Sequence, residues 1–228
     1  MTAIPFTLAP AANSDHDRIE RLLDICFGLG RRAKTSYRLR EGERAVDGLS
    51  FVARAGQVEL AGAISYWRVF IGERAVPALL LGPLAVHPNL QGQGIGRALM
   101  RHTLEIAKAR GERLVLLVGD EPYYARVGFR RVPDGRMVMP GYVDPDRFLY
   151  LELVEGALDG AMGLVLPPSR LKEKEGARLA RRVLPALAVP HEAHKREQQC
   201  ERDQRAEQRQ PLDFLDPVAV VGLEPKPA

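Results

Sequence analysis

Apolar residues recur along this chain with two different periods, and the changes between them divide it into helices and strands. Ile19, Leu22, Leu23 and Cys26 repeat at helical spacing after Ser14 and an acidic turn, so the pattern predicts an amphipathic helix capped by Ser14 and stopped by Gly28 and Gly30. Phe6, Thr7 and Leu8 precede it as a short edge strand. Residues 31–44 are basic and weakly patterned, which fits a short helix or a loop. Residues 50–54 and 58–69, rich in β-branched and aromatic side chains and separated by a turn at Gly56, then read as an antiparallel pair. After a second turn at Gly72, residues 79–86 are apolar on both faces, as a central strand should be. Their Gly82-Pro83 pair cannot continue a regular ladder and predicts a bulge or splay in mid-strand.

A helix over residues 94–110 follows, with Ile95, Leu99, Met100, Thr103, Ile106 and Ala107 on one face and Arg97, Arg101, Glu105 and Lys108 on the other. Gly111 ends it. Residues 113–119 form a second buried strand, so strand, helix and strand make a crossover long enough for parallel pairing. Pro122 opens a single turn of helix, and residues 128–132 and 148–153 supply two last strands. The fold class is therefore α/β in the α+β sense: a mixed sheet with helices packed on it. Residues 1–160 read as the folded domain. Residues 161–228 read as a charged tail rich in Pro and Gln, partly helical or disordered, with a small apolar island from Phe214 to Leu223.

A chain of 228 residues suits one domain with an appendage, and 46% apolar with 27% charged residues excludes collagen-like, fully disordered and membrane-spanning classes. The longest apolar stretch, residues 76–86, is interrupted by Pro77, Gly82 and Pro83 and falls short of the roughly 20 residues a membrane helix needs. No basic, apolar leader precedes it, so neither secretion nor a membrane anchor is expected. Cys26 and Cys200 are the only cysteines; they exclude a disulfide framework and a four-thiolate zinc site, and a reducing cytoplasm fits best. His191, His194 and Cys200 are too irregularly spaced to suggest a metal, and none is expected. The net charge of +4 comes from 33 Lys and Arg against 29 Asp and Glu, interleaved in the tail, which argues against nucleic acid as a partner.

The chemistry concentrates in Gln91-Gly92-Gln93-Gly94-Ile95-Gly96, between a buried strand and a helix N-terminus, where unpaired N–H groups and the helix dipole favour an anion. No lysine follows as a P-loop requires, and the glycines have the wrong spacing for the dinucleotide fingerprint. Tight packing alone could also place glycines there.

Leu84-Ala85-Val86-His87-Pro88-Asn89-Leu90 leading into that turn resembles the acetyl-CoA signature of the GNAT N-acetyltransferase superfamily, whose core is Gln/Arg-x-x-Gly-x-Gly/Ala; Gln91, Gly94 and Gly96 stand at its defined positions. Tyr124-Ala125-Arg126-Val127-Gly128-Phe129 resembles the second signature of the same family. The resemblance runs from about residue 5 to about 155, is closest to small stand-alone bacterial members of the YhbS type, and does not cover the tail. It implies the GNAT fold, with a splayed central parallel strand pair in a mostly antiparallel sheet. It also implies an acetyl group moved from acetyl-CoA to a primary amine by direct attack in a ternary complex. Backbone groups of Leu84, Ala85 and Val86 would bind pantetheine, with those around Val86 polarising the thioester, while amides from Gln91, Gly92, Gln93, Gly94, Ile95, Gly96 and Arg97 hold the pyrophosphate. Tyr124 takes the family's general-acid position and also lies against the cofactor; the alternative is a tyrosine packed under the last strands, with Tyr123 as the neighbour whose role could be exchanged with it. Relatives often form homodimers.

An alkylammonium must lose a proton before it attacks. Asp120 and Glu121 at the end of the second central strand, His87, and water are the candidates; Asp120 and Glu121 could equally cap the helix before Pro122, and His87 could be a solvated loop residue. Cys26 lies on an apolar helix face, which gives a covalent cysteine mechanism no support. The amine acceptor is open, with residues 31–44 and the hairpin strands expected to select it. The rival is a non-catalytic acyl-CoA sensor acting through the tail.

Overall fold

The structure, a computed structural model, describes residues 4–56 and 58–172. In chain order these form β1 (Phe6–Pro10), α1 (His16–Phe27), α2 (Thr35–Arg38), β2 (Phe51–Ala55), β3 (Gly62–Ile71), β4 (Val76–Val86) and α3 (Ile95–Ala109). There follow β5 (Leu114–Val118), α4 (Glu121–Tyr124), β6 (Arg130–Arg131), β7 (Met137–Val138), β8 (Phe148–Glu152), β9 (Gly163–Leu166) and α5 (Pro168–Lys172). The sheet runs β1-β2-β3-β4-β5-β8-β6, antiparallel at every junction except β4–β5, which is parallel. β9 adds to the far end of β3 at Phe70 and Ile71, and β7 pairs with β9 in parallel. This is the mixed, mostly antiparallel sheet with flanking helices that the sequence predicts.

The central strands are apolar on both faces because both are covered. On one face Leu79, Leu81, Val115 and Leu117 meet Ile95, Leu99, Met100 and Ala107 of α3. On the other, Ala78, Leu80, Leu114 and Leu116 meet Leu39, Met137, Met139 and the turn at Ala157 and Leu158. Alternate residues of one strand thus enter opposite cores, as a period of two requires. α1 covers the β2–β4 end of the second face with Leu22 and Leu23 on Val52, Ala63 and Ala85. Together these contacts fix α1 and α3 on opposite sides of β4.

Four local expectations change. Ser14 lies inside a single 3-10 turn, and the buried Asp15 occupies the N-cap of α1 instead. Its carboxylate accepts from the Ala12 N–H at 3.1 Å and from Arg54 at 2.7 Å, so the partner that selected it comes from β2, far along the chain. The strand expected from residue 58 begins at Gly62, and that expected over 128–132 shortens to Arg130–Arg131. β9, beyond residue 160, was not anticipated: it is four residues long with a glycine at its start, too short for a period to show. His191, His194, Cys200, the interleaved charges and the island near the end lie outside the described residues. Among the described residues no helix is long and apolar enough to cross a membrane, and no cluster of three or more His, Cys, Asp or Glu could hold a metal.

The Arg54 hydrogen bond holds the Asp15 carboxyl below its ordinary range, against the opposing effect of burial. A carboxylate with a lowered native pKa stabilises the fold above its unfolded pKa and loses that contribution as pH falls through the native value. Asp15→Asn should therefore cost about 1–3 kcal/mol in thermal unfolding at neutral pH. The gap to the parent protein should narrow as the pH drops below about 4.

Candidate functional site

β4 and β5 pair only at Leu79 with Val115 and Leu80 with Leu116, after which they part. β4 continues to Val86 against β3 alone, with a register break where Ile64 and Tyr66 face Leu84 and Leu81. The cis peptide Gly82-Pro83 lies at this break, and Gly82 has a φ of 128° that favours glycine. Its carbonyl, removed from any ladder, accepts instead from the Trp67 indole N–H at 2.8 Å. Pairing then resumes: His87 N–H donates to the Ala61 carbonyl at 2.9 Å, and Ala63 faces Ala85. By the alternation of an antiparallel ladder, the N–H and C=O of Leu84 and Val86 turn away from β3 into the gap that β5 has left. The Val86 carbonyl is held there by the Cys26 thiol at 3.3 Å and the Gln91 side-chain amide at 3.4 Å.

The chain reaches α3 through a 3-10 turn at Pro88–Leu90, in which His87 Nδ1 accepts from the Asn89 N–H at 3.4 Å. Gly92 and Gly94 follow at φ of 79° and 82°. Both are values that side chains other than Gly, Asn and Asp rarely adopt. Gln93 is half-buried between them. The Ala98 amide bonds back to the Gly94 carbonyl at 2.9 Å, so the amides of Ile95, Gly96 and Arg97 precede the helical ladder, and no side chain caps them. Open amides, the positive end of a 15-residue helix and the exposed Arg97 at its first turn form a cradle for an anion beside the gap. A molecule with phosphates on this turn can lay a chain of amides along Leu84 to Val86.

The match to known proteins agrees with this geometry. The model of the Acetyltransferase (GNAT) family matches residues 16–129. The chain belongs to the GNAT acetyltransferase family. Two relatives from Escherichia coli K12, both described as uncharacterized N-acetyltransferases, are YjhQ and YhbS. YjhQ is 35% identical over 131 residues, 57% of this chain and 72% of that one. YhbS is 31% identical over 153 residues, 66% and 89%. The crystal structure of E. coli YhbS in complex with CoA superposes with a TM-score of 0.61 at 26% identity, covering 76% of this chain and 96% of that one. A GNAT acetyltransferase from Brucella melitensis in complex with acetyl-CoA follows, with a TM-score of 0.50 at 25% identity over 65% and 88%.

In this GNAT domain the two tyrosines of α4 take different places. Tyr124 is half-buried, edge-on to Phe129 with ring centroids 6.0 Å apart, and packs on Gly119 at the end of β5 so closely that any side chain there would collide with its ring. Burial pushes its phenol above the usual tyrosine value, with Tyr123 and Asp120 adding to the shift. Tyr123 stands over the α3 cradle: its hydroxyl occupies the space a Gly96 side chain would need, and the Val86 Cγ2 would lie 3.3 Å from such an atom. Burial raises its phenol too, with Arg126 and Arg97 offsetting only part of the rise. Tyr123 therefore stands over the anion cradle, while Tyr124 lies against the end of β5 and the α3-side core.

The three candidate bases are spread along the rim. Asp120 sits at the N-cap position of α4, yet its side chain caps nothing and instead pairs with Arg147 at 3.2 Å. Glu121 stands in the first turn of α4, and His87 closes its own turn. Sequence reasoning missed the Trp67 bond to Gly82, the seat of Tyr123 on Gly96, and Arg40, whose guanidinium reaches Gly82. Only the place of Tyr123 directly before Tyr124 hinted at the second. Because Gly94 is left-handed at the mouth of α3, Gly94→Ala should lower stability by about 1–2 kcal/mol in thermal unfolding. Gly94→Asn should cost less than the alanine.

Proposed function

We propose that the protein transfers an acetyl group from acetyl-CoA to a primary amine by direct attack within a ternary complex. The observation that carries this reading is the gap between β4 and β5 opening beside the uncapped start of α3, with Tyr124 at the end of β5. The pyrophosphate sits on the amides from Gln91 to Arg97, with the Arg97 charge beside it. The pantetheine lies in the gap against Leu84 and Val86. Ala85 turns its amide to β3, so the outward donors for the thioester carbonyl are those of its two neighbours.

The acceptor's ammonium first gives a proton to water or to a rim carboxylate, the neutral amine then attacks the thioester carbon, and the extra proton on the nitrogen of the tetrahedral intermediate passes to solvent. As the tetrahedral intermediate collapses, the C–S bond breaks and the departing thiolate takes the phenolic proton of Tyr124, which solvent then replaces. A phenol held above the usual tyrosine value remains protonated throughout neutral pH and so stays ready to donate. Cys26 does not compete as a nucleophile: burial raises its thiol, and its S–H is directed at the Val86 carbonyl.

CoA release followed with a thiol reagent, over a panel of small amines and lysine peptides, tests the reading. Tyr124→Phe should reduce kcat by about a hundredfold or more while CoA affinity stays within about threefold. The parent kcat should show no alkaline decline from this phenol below about pH 10. Tight acetyl-CoA binding with no amine-dependent release across the panel would instead indicate a sensor.

A further inference from the structure

Two arginines near α2 have contrasting surroundings. Arg31 is 2% exposed and fully partnered, donating to Glu20 at 2.6 Å, Asp24 at 2.8 Å and the Tyr37 hydroxyl at 3.1 Å. Arg40, half-buried, has no carboxylate acting on it: its polar neighbour is Tyr37, and the Arg31 charge opposes its own. Its Nε and Nη1 are shut off from solvent without a hydrogen-bond partner, and its guanidinium stacks over the Tyr37 ring at 4.7 Å. Its Nη2 lies 3.0 Å from where a Gly82 side chain would begin. A planar cation with shielded, unused donors therefore rests on the one residue of β4 that lacks a side chain, at the point where β4 and β5 part.

Its position relates it to the reaction. The neighbouring Leu39 packs with Leu80 and Leu116, on the sheet face opposite α3. The donor's phosphates belong to the α3 side, so Arg40 approaches the gap from the side left for the acceptor. From Gly82 to the outward amide of Leu84 is two residues of chain, at most roughly 7 Å. That is a small-molecule span. Burial brings the guanidinium down to about 10, so it is still charged at neutral pH. A buried charge without a counter-charge is strongly unfavourable, and a bidentate carboxylate is the group whose geometry fits a guanidinium best.

We infer that Arg40 is the acceptor-selecting residue and that it binds a carboxylate on the amine acceptor, so that the substrate class is an amino acid or a related amine carrying a carboxylate. This rests on the acetyltransferase reading for the word acceptor, while the anion site itself does not.

Two measurements test it on the full chain. In the first, the CoA-loaded protein is titrated with butyrate at constant ionic strength and followed by calorimetry and thermal unfolding. The parent should show saturable binding that Arg40→Met loses; no saturable effect, or an equal one in both proteins, overturns the inference. Arg40→Met removes an unpaired charge and should not lower the unfolding midpoint, and Arg40→Gln serves as a second variant of different shape. In the second, CoA release is compared for lysine against pentane-1,5-diamine and for phenylalanine against phenethylamine. Arg40→Met should raise KM for the carboxylate-bearing amines more than tenfold, leave their decarboxylated partners and the acetyl-CoA KM unchanged, and be partly rescued in Arg40→Lys. Equal losses for both members of each pair, or a preference that follows succinyl-CoA over acetyl-CoA instead, overturn the assignment. Arg40-dependent butyrate binding without turnover of any amine would sink the acetyltransferase reading and keep the anion site; turnover without carboxylate discrimination would do the reverse.

Discussion

Backbone polar groups buried away from water must find partners, and β4 leaves its partner strand after two residues of pairing. Most of the site can be understood as the set of answers to that requirement. The Gly82 carbonyl is answered by the Trp67 indole, and the Val86 carbonyl by the Cys26 thiol and the Gln91 amide. The outward donors of Leu84 and Val86 face the vacated edge. A ligand presenting carbonyls and amides can complete the missing ladder, in the manner of a peptide adding to a sheet edge. Trp67 matters here through its polar edge, since without that bond the break in β4 would bury an unpaired carbonyl.

The site is asymmetric in charge because the sheet separates its two sides. On the α3 side, open amides, a helix N-terminus and Arg97 and Arg126 all favour negative charge, and the two arginines offset part of the rise that burial gives the Tyr123 phenol. Tyr124 shares the same short helix but feels Asp120 and Tyr123 instead, so every main influence except Arg147 holds its proton in place. Two adjacent tyrosines thus acquire different electrostatic surroundings through a quarter-turn of helix. One stands beside the arginines and the open amides of α3, the other among groups that keep its phenol protonated.

The parts of this arrangement legible in the sequence were those with a strong local period or a local chemical necessity. β5 is an uninterrupted apolar run, β4 is apolar apart from Pro77, Gly82 and Pro83, α3 has a broad apolar face, and Gly82-Pro83 cannot sit in a regular ladder, so the splay and the turn could be read directly. What escaped depends on residues brought together by folding. Asp15 rather than Ser14 stands at the N-cap position of α1, its carboxylate held by Arg54 from β2. Gly96 needs to be glycine partly for the Tyr123 hydroxyl, contributed from beyond β5. The weakly patterned residues 31–44 hold one arginine with two carboxylates and another with none, a distinction that composition does not carry.

That last contrast connects stability to selectivity. A solvent-exposed arginine would attract anions weakly and be screened by salt, whereas one whose Nε and Nη1 are already shut off from water has less desolvation left to suffer on binding. The unfavourable burial is borne by the folded protein, which offsets it with two apolar cores and the paired Arg31 nearby. The gain appears only when a counter-charge enters. A neutral or cationic amine in the same place would leave the guanidinium unsatisfied and add repulsion in the second case. Discrimination in such a site comes as much from the wrong partner's failure as from the right one's contacts.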